Sequence, residues 1–184
     1  MRRATVIRAA VVVIVMGCLV AAARWLWTTP LAPIHSKAAI GKLNLEHAGA
    51  NLQVSFVPPK SLSSITLFFP KPMRGSGEFC AHPDFPLSVR VRVAETAGTN
   101  IIDELITKDR MQWTSWHGGP SLSLMLRGWL GEYLSTDREY ELTLAVDSAV
   151  ADLGQVEVFL HWMDGGYVWG RETQKLQLTR RSTE

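Results

Sequence analysis

The sequence predicts an all-β domain, an antiparallel β-sandwich of immunoglobulin-like or jelly-roll-like kind, behind one N-terminal apolar helix. Three observations predict it. From Lys42 onward, apolar residues recur with a period of two, the period of a strand with one buried face. Roughly eight or nine such runs are separated by proline, glycine or small polar residues that favour turns. No long helical pattern follows residue 27. A closed barrel is the alternative arrangement of the same strands.

The chain begins with its most apolar stretch. Residues 9–23 carry no charge, and Arg24, with Trp25, Leu26 and Trp27 at the far interface, extends the run far enough to span a bilayer. Arg2, Arg3 and Arg8 precede it, a positive bias that holds the N-terminus in the cytoplasm and sends the rest of the chain across. Residues 1–27 therefore read as a signal anchor or signal peptide, with residues 9–27 as the contact with the membrane. Three fates share this pattern: retention as an anchor, lipid attachment at Cys18 in Val15-Met16-Gly17-Cys18, and cleavage after Ala23 in Ala21-Ala22-Ala23. Met16 and the apolar run after Cys18 depart from a lipoprotein signal. The expected location is the bacterial cell envelope, with an inner-membrane anchor and a periplasmic domain; lipoprotein or secreted forms are the alternatives.

Residues 28–41, with Pro30 and Pro33, read as an extended linker, and residues 42–184 as the exported domain. Strands are expected around Leu43 and Leu45, around Leu52, Val54 and Phe56, and around Ile65, Leu67 and Phe69. Leu87, Val89, Val91 and Val93 alternate with Ser88, Arg90 and Arg92, giving a strand with one dry and one wet face. Residues 101–108 fit either a strand or a helical turn, and residues 111–120 read as a loop. Further strands follow at Leu122, Leu124 and Leu126, at Tyr140, Leu142, Leu144 and Val146, at Val156, Val158, Leu160 and Trp162, and at Leu176 and Leu178. Residues 147–152 are expected to form one helical turn capped by Asp147 or Ser148.

Composition narrows the function. Of the 19 basic residues, Arg2, Arg3, Arg8 and Arg24 fall in the leader, while all 17 acids follow it, so the exported part is slightly acidic. Its charges are mixed in sign, with no basic run longer than Arg180-Arg181, which argues against nucleic acid as a partner. Cys80 is the one cysteine outside the leader, so no disulfide forms within the domain.

Three constellations carry chemistry. Glu78, Cys80, His82 and Asp84 alternate and would share one side of an extended segment, a weak candidate for metal binding. No H-x-x-H or C-x-x-C accompanies them, and the neighbouring Gly75-Ser76-Gly77 and Pro83 favour a solvated loop, so no metal is assigned. His117 lies among Ser115, Gly118, Gly119 and Ser121, but the G-x-S-x-G elbow of hydrolases is absent. No acid/base pair or nucleophile can be placed, so the domain reads as a binder, with no enzyme activity and no cofactor. His35, His47 and His161 read as surface or hydrogen-bonded side chains. The third constellation is aromatic. Alternation assigns Trp129 and Trp162 to the core, whereas Trp113, Trp116 and Trp169 lie near glycines and read as exposed loop residues. With His117 and Tyr167 they form the expected binding set: Trp113, Trp116, His117, Tyr167 and Trp169.

The strand order Pro86-Leu87-Ser88-Val89-Arg90-Val91, Leu126-Arg127, Tyr140-Glu141-Leu142-Thr143-Leu144 and Val156-Glu157-Val158-Phe159-Leu160 resembles a family of uncharacterised exported bacterial β-sandwich proteins, often lipoproteins. Where that family commonly has Pro-Gly before the tyrosine strand, this chain has Asp137-Arg138-Glu139. Some members are proposed to be immunity proteins that neutralise secreted toxins. The resemblance implies a membrane-tethered, extracytoplasmic protein-binding module of immunity or inhibitor type. A carbohydrate- or cell-wall-binding domain, with the same tryptophans stacked on sugars, is the alternative.

Overall fold

The computed structural model describes residues 2–29, 34–69, 86–96, 98–114, 121–151, 153–167, 170–172 and 175–181. The chain forms two compact units, one of Met1–Ile34 with Asp164–Thr173 and one of His35–Met163 with Gln174–Glu184.

The first unit contains helix α1, Arg2–Thr28. Its segment Val11–Thr28 is long and apolar enough to cross a membrane, and none of it is buried within the chain. A helix is the form such a run takes in lipid, because it satisfies every backbone group internally. At its C-terminal end the Thr28 hydroxyl donates to the Arg24 carbonyl at 2.9 Å, and the Thr29 N–H to the Trp25 carbonyl at 2.8 Å. These bonds occupy carbonyls that a helix end leaves without partners. A membrane anchor and a signal sequence share this signature.

The second unit is the predicted β-sandwich. In chain order the strands are β1 (Ile34–Asn44), β2 (Asn51–Val57), β3 (Leu62–Phe68), β4 (Ser88–Glu95), β5 (Asn100–Ile106), β6 (Met111–Thr114), β7 (Ser121–Leu124), β8 (Tyr140–Ser148), β9 (Gln155–Tyr167) and β11 (Gln177–Arg181), with Ile34 of β1 and Asp164–Tyr167 of β9 in the first unit. Strand β10 (Gly170–Glu172) pairs with the end of β9. One sheet has the order β1-β9-β3-β7-β6 and the other β11-β2-β8-β4-β5, so the sheets are separate and the barrel alternative is not realised.

Alternation explains the core. In the first sheet Leu67 pairs with Leu122 on one side and Val158 on the other, and Ile65 with Leu124 and Leu160. In the second, Val91 and Val93 face the same interior as their β8 partners Leu144 and Leu142. All ten of these residues, Leu67, Leu122, Val158, Ile65, Leu124, Leu160, Val91, Val93, Leu144 and Leu142, are at most 1% exposed. Burial of each such side chain stabilises the fold by about 1.5–3 kcal/mol. On neighbouring strands β2 and β8 of the second sheet, the Phe56 and Tyr140 rings lie 6.3 Å apart, and the Tyr140 hydroxyl accepts the Ser135 N–H at 2.9 Å.

Four expectations are corrected. The linker of residues 28–41 is shorter, because β1 begins at Ile34; Ile40, Leu43 and Leu45 are buried at a spacing of three and then two, which hides the strand from a strict period. Residues 111–114 form β6 rather than loop, since their backbone pairs with β7 from Met111 opposite Leu124 to Thr114 opposite Ser121. Residues 147–152 form no helical turn among the described residues: β8 continues to Ser148, and the Val150 N–H bonds the Leu45 carbonyl at 3.0 Å. Asp147 instead accepts the Ser88 hydroxyl at 3.3 Å. Trp129, assigned to the core, is 54% exposed, whereas Trp162 is buried as expected at 5%.

Candidate functional site

Of the aromatic set read from sequence, Trp113 is described in full. Strand β6 holds it opposite Leu122, half-buried, with its ring 5.2 Å from that of Phe69. It is thus a packed side chain rather than the exposed loop residue expected. Its buried indole Nε1 has no acceptor among the described residues, an arrangement that costs about 1–3 kcal/mol when nothing compensates. Trp116 and His117 fall in residues 115–120, Trp169 in 168–169, and Cys80, His82 and Asp84, with Glu78, in 70–85; all lie outside the described residues. Tyr167 is described in its backbone, as the last residue of β9, paired with Gly170. The row of Trp113 crosses β9 at Val158, near the start of that strand. Cys18 is an exposed residue within α1. Among the described residues no group of three or more His, Cys, Asp or Glu side chains is placed to hold a metal ion.

The polarity of the first sheet decides where these segments lie on the sandwich. The Leu45 N–H bonds the Gly154 carbonyl at 3.0 Å, so the end of β1 meets the start of β9 and the two run antiparallel. β3 is antiparallel to β9, and β7 to β3. One end of the sheet therefore gathers the start of β1 at His35, Trp162 of β9, Leu62 and Leu124. It is the end where the chain enters the sandwich, here the entry end. The far end gathers Leu45, Phe69, Ser121 and Thr114, from which residues 70–85 and 115–120 depart.

At the entry end, the segment after β7 exposes side chains that alternation misreads. Met125, Trp129 and Tyr133 are 46%, 54% and 49% exposed, whereas Leu130 and Leu134 are buried at 1% and 7%. The segment includes one short helical turn, α2 (Leu130–Tyr133). It is pinned on several sides. The Met125 N–H bonds the Arg110 carbonyl at 2.8 Å, and the Glu132 N–H the Trp129 carbonyl at 2.9 Å. Gly131 sits so close to the β2–β3 connection that a Cβ there would lie 3.0 Å from the Leu62 carbonyl oxygen. A Cβ on Gly128 would meet the Tyr133 hydroxyl at 2.5 Å, so the phenol lies along the Gly128 backbone. Arg127 and Lys60 are exposed in the same region. The sequence does carry the signal for this surface. Met125, Trp129 and Tyr133 recur every four residues, beside Leu126, Leu130 and Leu134 at the same spacing, a helical rather than a strand period, of which only Leu130–Tyr133 forms helix.

The remaining polar features are structural. On the outer face of the first sheet, the Lys37 ammonium lies 4.6 Å from the Phe159 ring centroid and 5.7 Å from that of Phe68, the cation–π distance range. Thr66 and Ser123 hydroxyls meet at 3.4 Å beside them, and His161, 4% exposed, lies 6.5 Å from Phe159. On the outer face of the second sheet, Asp103 accepts from Arg90 and Arg92 at 3.1 Å each. The Arg90 hydrogen bond foremost, opposed by some desolvation and joined by Arg92 and both positive charges, lowers the Asp103 pKa. Arg110 pairs with Glu104 at the corner between β5 and β6. No protein-family model matches the chain, and no curated protein matches it.

Proposed function

We propose that this chain is a membrane-tethered, extracytoplasmic module that captures a protein partner, of inhibitor or immunity type. The observation that supports the reading is sheet polarity: the chain arrives from the apolar helix at one end of the sandwich, and the segments carrying Trp116 and His117, and Cys80 to Asp84, depart from the other. The residues expected to bind thus follow strand ends opposite the one at which the chain enters the sandwich at His35. At the far end the Trp113 ring lies 5.2 Å from that of Phe69, tilted by 41°. Binding energy in protein interfaces concentrates in a few residues, among which tryptophan and tyrosine are enriched.

The test uses the full chain in detergent micelles, immobilised and exposed to envelope and secreted fractions of its source. A stoichiometric protein partner, identified by mass spectrometry, is then titrated against the wild type and Trp116→Ala. The expected loss is more than about 1 kcal/mol, roughly a fivefold rise in Kd. Unchanged affinity removes Trp116 from the interface. Retention of wall polymer alone, with quenching of tryptophan fluorescence, would replace the protein-binding reading with the carbohydrate-binding one.

A further inference from the structure

We propose that the open edge of β1 is a strand-addition site, where an extended, acidic segment of a partner protein joins the first sheet. The site is separate from the aromatic set and stands whether or not Trp116 binds. Strand β1 has β9 on one side and, among the described residues, no strand on the other. Such an edge offers a row of backbone N–H and C=O groups to any segment that can pair with them, and proteins normally guard it. Main-chain hydrogen bonds then supply affinity, and the side chains along the seam supply specificity.

The three other strands that end the two sheet orders are guarded. β6 is four residues long, and a short edge is a poor template. β11 is five residues long and shifts register against β2 between Leu178 and Arg180, an irregularity that spoils a flat edge. In β5, Glu104 stands opposite the core residue Val91, which puts a charge on the core-facing side, where Arg110 pairs with it. An inward charge of this kind opposes an added strand. β1 has none of these devices. It is eleven residues long, and from Lys37 to Asn44 it contains no proline and no acid. The Lys37 ammonium does not project beyond the edge, because it lies over Phe159 of β9 and Phe68 of β3, on the other side.

Charge selects the occupant. One 3-10 turn, Lys108–Arg110, joins β5 to β6, so those two edges share one side of the sandwich, and β1 and β11 share the other. On this side β1 carries Lys37 and Lys42, and β11 carries Arg180 and Arg181, with no acid in either strand. Of the acids on neighbouring strands and turns, Glu157 on β9 and Glu141 on β8 lie one and two strands farther in. Glu46 accepts the Gly154 N–H at 3.1 Å, and Glu139 accepts the Thr179 hydroxyl. An acidic strand therefore meets unlike charge along the seam. A second copy paired through its own β1 would bring lysines to that seam, where like charges oppose pairing.

The test uses the full chain in detergent micelles and a capped peptide of about nine residues that alternates valine with glutamate, with a valine–lysine counterpart as control. Hydrogen–deuterium exchange read by mass spectrometry follows β1. The expected result is slower exchange of the amides of residues 37–44 with the glutamate peptide, which binds at least about tenfold more tightly than the lysine one. Ala38→Pro and Ala39→Pro separate edge from fold. Adjacent residues of a strand direct their N–H groups to opposite sides, so one proline removes a bond to β9 and the other a donor at the open edge. The variant that keeps the wild-type near-UV circular dichroism should lose about tenfold or more in affinity for the glutamate peptide. Lys42→Glu, a change at an exposed side chain, should shrink the preference for glutamate over lysine, and it decides the matter if neither proline variant folds. Unchanged exchange in residues 37–44, protection only elsewhere, or equal affinity for the two peptides would overturn the proposal. Protection of β1 that rises with protein concentration and needs no peptide would also overturn it, in favour of a second copy.

Discussion

Trp162→Ala and Trp129→Ala form a matched pair whose unfolding free energies should differ by about 2 kcal/mol or more. Alternation assigns both indoles to the core, but Trp162 is 5% exposed and Trp129 54%. A tryptophan removes up to about 250 Å² from water when buried. At about 25 cal/mol per Å² this gives an upper bound near 6 kcal/mol for Trp162, and core truncations of this kind typically cost about 3–5 kcal/mol with the cavity included. For Trp129 about half the area is involved, so the bound is near 3 kcal/mol. Residual burial in the unfolded chain lowers it by up to about 40%. Water fills the space left behind and alanine keeps part of the contact, leaving a cost of about 1 kcal/mol. Urea unfolding of the full chain in mild detergent, followed by near-UV circular dichroism, measures the difference. With a slope of about 2 kcal/mol per molar, the midpoint of Trp162→Ala should lie about 1 M below that of Trp129→Ala. Equal midpoints, or a lower one for Trp129→Ala, would refute the placement of residues 125–134 at the surface.

Three further outcomes are expected. Gly41→Ala places a Cβ 2.5 Å from Leu52 Cδ1, in contact between the two sheets, and should destabilise the fold by about 1–3 kcal/mol in the same urea assay. Tyr140→Phe removes the acceptor of the Ser135 N–H while keeping the ring against Phe56, for a loss of about 1 kcal/mol. Asp103 has a folded pKa below the ordinary carboxylate value of about 3.9, so its contribution is complete above that pH and is lost as pH falls through the lowered value. Because Asp103, Arg90 and Arg92 keep 32%, 43% and 47% of their side chains in water, the effect is below about 1 kcal/mol. Stability measured from about pH 6 down to pH 2 should fall by that much less in Asp103→Asn than in the wild type.

Legibility follows how strictly each segment obeys one period. Val89, Val91 and Val93 alternate with Arg90 and Arg92, and β4 forms where the pattern puts it, paired with β8 and β5 along its edges and with its valine face in the core. Tyr140 to Val146 and Val156 to Trp162 behave the same way. Strand β1 is hidden by the spacing of Ile40, Leu43 and Leu45, and β6 by its length of four residues, which only pairing with β7 makes a strand. A strand period misplaces Trp129, because the apolar residues of its segment recur every four. Trp113 is misplaced in the opposite sense: glycines nearby suggest a loop, but the β7 ladder reaches as far as Thr114.

The sequence by itself determined the apolar N-terminal helix and an all-β domain of antiparallel strands, because both follow from local periods that one segment displays alone. Only the tertiary structure decided the strand order and, through it, which segments share an end of the sandwich. Strand order depends on pairings between residues as far apart as Leu67 and Val158, and no local pattern encodes a partner. The same holds for exposure. Whether Met125, Trp129 and Tyr133 face water depends on Leu130 and Leu134 finding the core and on Gly131 fitting against the Leu62 carbonyl, contacts that exist only once the sheets have packed.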